Sequence, residues 1–149
     1  NISLRAPPNG MAKRSGKARS DVVIKAKTTS FRILEIGQSG VRAELTSKGT
    51  VTGKYRATHW DTVEMQMNQD GTSSWQVKFM QMTDRGEVLV GTGSGTGEAA
   101  NSKGVAKLKG EGTHMTTSER LAGITGNGWA CEVDNHVAAD TAVVAVSFK

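Results

Sequence analysis

From residue 20 onward, apolar and polar side chains alternate. Asp21-Val22-Val23-Ile24-Lys25-Ala26-Lys27 alternates after its first step, and Val41, Ala43 and Leu45 interleave with Arg42, Glu44 and Thr46. Successive side chains of a strand point to opposite faces, so a period of two predicts sheet with one dry side. The longest such run covers residues 50–68. Its odd positions, Val51 through Tyr55 to Met65 and Met67, are apolar except at His59 and Asp61. Its even positions are polar except at Trp60. Unbroken, this run would extend roughly 60 Å, far beyond an ordinary strand. A bend or bulge is therefore expected near His59–Asp61. Such a bend would carry both groups to the wet rim and turn Trp60 inward.

Turn signals divide the rest of the chain. Asn68-Gln69-Asp70-Gly71 predicts a hairpin turn, after which Trp75, Val77 and Phe79 share one face. Asp84-Arg85-Gly86 marks another turn. Residues 87–98 and 104–116 read as strands joined by a short loop. Residues 118–127 break the alternation and suit a helical turn, residues 129–133 resume it, and residues 141–148 close the chain with apolar residues on both faces. The result is seven to nine strands joined by short connections, with no helix long enough to cover an open sheet. Such a meander exposes two edges unless it closes. An all-β, antiparallel up-and-down barrel of about eight strands is expected, with room inside for side chains or one small ligand. A β-sandwich is the alternative.

Gly91, Gly93, Gly95 and Gly97 fall at every second position. A dinucleotide fingerprint needs G-x-G-x-x-G at a strand-to-helix turn, and a P-loop needs Gly-Lys-Ser/Thr, so neither nucleotide motif fits. Instead the spacing puts four bare positions on one face of a strand. Such a stripe permits strong coiling, close approach of another backbone, or a packed subunit. Pairing with residues 104–116 could set it beside Lys107 and Lys109, or beside Ala106 and Leu108, because a one-residue slip exchanges the faces. Alternating glycines on two consecutive strands, followed by Ser118-Glu119-Arg120-Leu121-Ala122-Gly123-Ile124-Thr125-Gly126, resemble the allene oxide cyclase-like barrels, a group that includes dirigent proteins and small bacterial barrels without known function. The resemblance covers roughly residues 40–149. It implies a closed eight-stranded barrel, an apolar central cavity, frequent homo-oligomers and, where members are active, control of a reactive intermediate by cavity shape. No catalytic residue of that group maps onto a position of this chain.

Composition sharpens the picture in three places. The chain has 149 residues, 18 of them Gly and only 2 Pro, which suits one folded domain rather than a collagenous or disordered chain. Its net charge of +5 is unevenly spread. Eight Lys or Arg against Asp21 make residues 1–32 strongly basic, while the remainder carries slightly more acid than base. Residues 1–19 thus read as a basic tail, and 20–149 as the barrel domain. Met11 opens a plausible frame, so residues 1–10 are read as either vector-derived or poorly constrained and set aside. Nucleic-acid contact is expected only through the tail. One cysteine, Cys131, excludes an internal disulfide and agrees with a reducing, cytoplasmic setting. No apolar run approaches the ~20 residues of a spanning helix, so no membrane partner is expected.

The candidate chemistry lies at the polar intrusions on dry faces. His59 and Asp61, two apart on one face, can both point inward, where a carboxylate orients an imidazole as acid or base. Tyr55 shares that face and can donate a hydroxyl. His114 interrupts another dry face beside Gly110 and Gly112, as a cavity-lining or hydrogen-bonded core histidine. Met65, Met67, Trp75 and Trp129 are apolar residues suited to lining a pocket or to filling a core. No metal-binding spacing or cofactor motif is present, so no metal and no cofactor is expected. Cys131 has no basic neighbour in sequence to activate it. Two functions follow: a module that holds a small apolar or amphipathic molecule, with Tyr55, His59 and His114 as its polar contacts, or a metal-independent isomerase, cyclase or lyase in which His59 is the acid or base, Asp61 its orienting partner and Tyr55 a donor. Self-association is expected through the glycine stripe and the doubly apolar last strand.

Overall fold

The computed structural model describes residues 19–149. Eight strands follow one another around a closed barrel: β1 (Val22–Gly37), β2 (Gly40–Gly53), β3 (Ala57–Asn68), β4 (Ser73–Met82), β5 (Val88–Gly97), β6 (Val105–Thr116), β7 (Trp129–His136) and β8 (Thr141–Phe148). Each pairs antiparallel with its sequence neighbour, and β8 closes onto β1 from Val22↔Val146 to Lys27↔Thr141. β8 pairs with β1 as far as Lys27, closing the first and last strands that an open meander or sandwich would leave apart, so the barrel, not the sandwich, is the fold.

The alternation is realised as expected, with one correction. The long run 50–68 is a hairpin, broken at Lys54–Arg56 and not at His59–Asp61. Gly53 adopts φ 123°, open to glycine and strained for other residues. Lys54 anchors the turn twice, its backbone N–H donating to the Asp21 carbonyl (3.0 Å) and its ammonium meeting the Asp21 carboxylate (2.6 Å). The break leaves no mark in the pattern because Tyr55, at the turn itself, folds inward and is 4% exposed. Past the turn, β3 runs straight through His59 and Asp61. His59 is therefore buried, and Trp60 points outward, half-buried, with Lys48 Nζ 5.9 Å above its ring.

The glycine stripe faces inward, where it seats aromatic rings. The register sets Gly97 opposite Leu108 and Gly95 opposite Gly110, so the stripe meets the apolar face of β6 and Lys107 and Lys109 point out. Trp75 covers Gly95 and Gly110, and Trp129 covers Gly93 and Gly112. A β-carbon at any of these four sites would collide with an indole. The indole N–H groups donate to the Thr96 and Thr113 carbonyls, at 3.3 and 3.2 Å. Each buried indole contributes about 4–6 kcal/mol of gross hydrophobic stabilisation. The stripe is thus filled from within and offers no surface to a second subunit.

The two ends of the barrel differ. At one end lie the connections 38–39, 69–72, 98–104 and 137–140. At the other lie 54–56, 83–87 and the longer crossing 117–128, which carries helix α1 (Glu119–Thr125). Ser118 caps α1 by accepting from the Leu121 N–H at 3.1 Å. Leu121 (1% exposed) joins Val22, Val51, Tyr55 and Leu89 in the core at that end. Glu87 staples the β4–β5 connection to α1, accepting from Ser118 Oγ (2.6 Å) and from the Arg120 guanidinium (2.6 Å). These bonds hold its carboxyl down at about 2, Arg120 contributing most.

Candidate functional site

A cavity of about 440 Å³ occupies the barrel interior. Its lining includes Gly71, Glu98, Ala100, Val137 and Asp140 from the connections of the first end, and only Tyr55 from those of the second. It is therefore open at the first end and floored near α1. The size suits a drug-sized molecule. The walls are largely apolar, with Met65, Met67, Trp75 and Trp129 all on the surface of the cavity, as their inward parity requires.

Near the floor, the sequence-expected group is assembled and extended. Tyr55 donates its hydroxyl to Gln81 Oε1 at 2.5 Å. Gln81 Nε2 then donates to His59 Nδ1 (3.1 Å), and His59 Nε2 donates to Asp61 Oδ2 at 2.7 Å. With Nδ1 accepting, the imidazole carries its proton on Nε2. Both ring nitrogens are engaged and the ring stacks on Phe79 (5.8 Å between centroids). The oxygen left over is Asp61 Oδ1, which is buried and has no partner. Both His59 nitrogens are thus occupied, while Asp61 keeps one oxygen open to a further donor. Burial raises the Tyr55 hydroxyl far above the ordinary phenol range, so it serves as a donor only.

Gln81 (4% exposed) is the residue sequence reasoning passed over. It has the same parity as Trp75, Val77 and Phe79, and an amide at an inward position was the available signal. His114 is brought elsewhere. It is not among the cavity-lining side chains; its Nε2 lies 3.0 Å from the Gly126 carbonyl, and its ring meets Phe148 edge-on. Cys131 lines the cavity, and burial pushes its thiol up to about 11, away from the thiolate. Among the described residues, no three His, Cys, Asp or Glu side chains gather as metal ligands, and no helix is long and apolar enough to cross a membrane. The basic tail falls outside the described residues, apart from Arg19.

Two solved structures share this architecture. A protein of unknown function from Clostridium acetobutylicum superposes with a TM-score of 0.73 at 11% identity, over 85% of this chain and 94% of its own. A conserved protein of unknown function from Rhodopseudomonas palustris gives 0.69 at 14% identity, over 86% of this chain and 93% of its own. At such identities the likeness is one of fold alone. No protein-family model matches the chain, and no curated protein is similar to it in sequence. The expected link to allene oxide cyclase-like barrels is therefore supported only as far as the barrel itself.

Proposed function

We propose that the barrel binds a small amphipathic molecule in its interior. The observation that carries this reading is the buried, unpartnered Asp61 Oδ1 on the wall of an apolar cavity. A buried polar atom without a partner costs about 1–3 kcal/mol, and a ligand's donor placed there would recover it. The test is thermal unfolding with 2-naphthylmethanol, a neutral apolar ring bearing one hydroxyl. Binding to the native state raises its stability by about 2.7 kcal/mol at a hundredfold excess over Kd. Met65→Trp, which narrows the cavity, should abolish the shift. Unchanged melting temperatures with this probe and with its amine and carboxylate analogues, each at millimolar concentration, would refute the reading.

A second reading, a metal-independent isomerase, cyclase or lyase, has one observation on its side. Asp61 is a carboxylate backed by His59 and free on its other oxygen, the arrangement a carbon-proton base requires. Deuterium exchange at the acidic carbon of 2-tetralone, followed by NMR and lost in Asp61→Asn, would support it; exchange no faster than in buffer would end it.

Self-association and a cytoplasmic setting belong to the same proposal. The support for self-association is a feature other than the glycine stripe. Above Lys27, β1 outruns β8, leaving one backbone edge unpaired and Phe31, Ile33 and Ile36 more than half exposed. A second copy pairing along that edge would cover both. Sedimentation should show a dimer that Ile33→Lys dissociates; a monomer at high concentration would refute it. The cytoplasmic setting is supported by a single cysteine with no partner thiol in the chain. Nucleic-acid contact through the tail is tested by removing residues 1–20 and measuring DNA and RNA affinity, and an unchanged, negligible affinity would dispose of it.

A further inference from the structure

The chemistry around Asp61 selects among amphipathic molecules. Asp61 sits between Ser47 on β2 and Phe79 on β4, directly opposite each in the ladders, and all three line the cavity. Ser47 and Phe79 are thus the cross-strand neighbours of Asp61 on the same inward face. Phe79 in turn stacks on His59 and meets Trp129 edge-on (5.8 Å). Glu98 and Asp140 stand at the mouth, and no Lys or Arg is among the described residues that line the cavity. A ligand carboxylate would bring like charge against Asp61 in a low-dielectric interior, with no cation to offset it. A protonated amine placed at Oδ1 would meet a carboxylate oxygen in an apolar interior, the charge-assisted pairing that holds ammonium groups.

Resting on the cavity-binding reading, we propose that the ligand is a primary amine on an apolar body, its ammonium donating to Asp61 Oδ1. The inference is tested with three probes that share one ring: 2-naphthylmethylamine, 2-naphthylmethanol and 2-naphthoate. Affinities are read from tryptophan fluorescence at neutral pH and low salt. The amine should bind about tenfold tighter than the alcohol, the difference between a charge-assisted and a neutral hydrogen bond. The carboxylate should bind weakest. Asp61→Asn keeps the shape of the side chain and an acceptor oxygen but not the charge, and should remove the preference for the amine over the alcohol. Circular dichroism of the variant confirms that the barrel is intact. Alcohol or carboxylate binding as tightly as the amine would overturn the assignment while leaving the cavity reading in place, as would an amine preference that survives in Asp61→Asn. If none of the three probes binds, the cavity reading falls and the assignment with it.

Discussion

Gly95→Ala tests whether the barrel depends on seating indoles over bare backbone. A β-carbon at Gly95 would lie 2.7 Å from Cε2 of Trp75 and would also press on the Lys109 carbonyl. The ring has no retreat on that side, since Gly110 already receives its far edge and its N–H is tied to the Thr96 carbonyl. Overpacking of this kind costs about 1–3 kcal/mol, and loss of the indole hydrogen bond adds about 1 kcal/mol. A total near 3 kcal/mol corresponds to a melting temperature lower by about 6–12 °C in a chain of this length. Urea denaturation and calorimetry measure both. Trp75→Leu removes the indole while the Lys109 carbonyl stays, so Gly95→Ala made in that background should cost about 1–2 kcal/mol less but still carry a residual cost. Gly123→Ala is the matched control. That glycine lies inside α1 with open space around it, and alanine there should stabilise by about 0.5–1 kcal/mol. Unchanged stability in Gly95→Ala, or a cost independent of Trp75, would refute the reasoning.

Three other expectations follow from the hydrogen-bond networks. The folded Glu87 carboxyl is held at about 2 against an ordinary 4.5, so its contribution is complete above pH 4.5 and is lost as pH falls toward 2. Glu87→Gln should lower the melting temperature at pH 7 and flatten its decline over that window; an unaltered profile would contradict the staple. The Cys131 thiol, buried and pushed up to about 11, should resist iodoacetamide at pH 8 in the folded protein and react only in denaturant. Rapid labelling of the native state would show otherwise. Gln81→Leu leaves the Tyr55 hydroxyl and His59 Nδ1 without their partner, whereas Tyr55→Phe strands only Gln81 Oε1. The first should cost about 2–5 kcal/mol and the second about 1–3 kcal/mol, and the reverse order in urea titrations would show that the relay is assigned wrongly.

The period of two in the sequence determined that this chain is sheet, that the sheet has a dry side, and which residues face it. That information is local, because it depends only on successive side chains pointing to opposite faces. It placed Tyr55, Met65, Met67, Trp75 and Trp129 on the interior and left His59 and Asp61 between the interior and the wet rim, and short connections with no covering helix were enough to require closure. It could not place the break in residues 50–68, because a core tyrosine at the turn continues the alternation. Nor could it tell whether the glycine stripe was a surface or a seat, since that depends on Trp75 and Trp129 reaching across from other strands. His114 shows the same boundary: its parity is inward, but its position along the barrel carries it to Gly126 and Phe148 instead of the cavity. The hydrogen-bond partners of His59 were likewise decided by tertiary structure. A histidine is a free base or a positioning group according to what meets its second nitrogen, and here that is an amide 22 residues away in sequence. Parity is written residue by residue, whereas contact between strands is set by register and closure, which no single segment encodes.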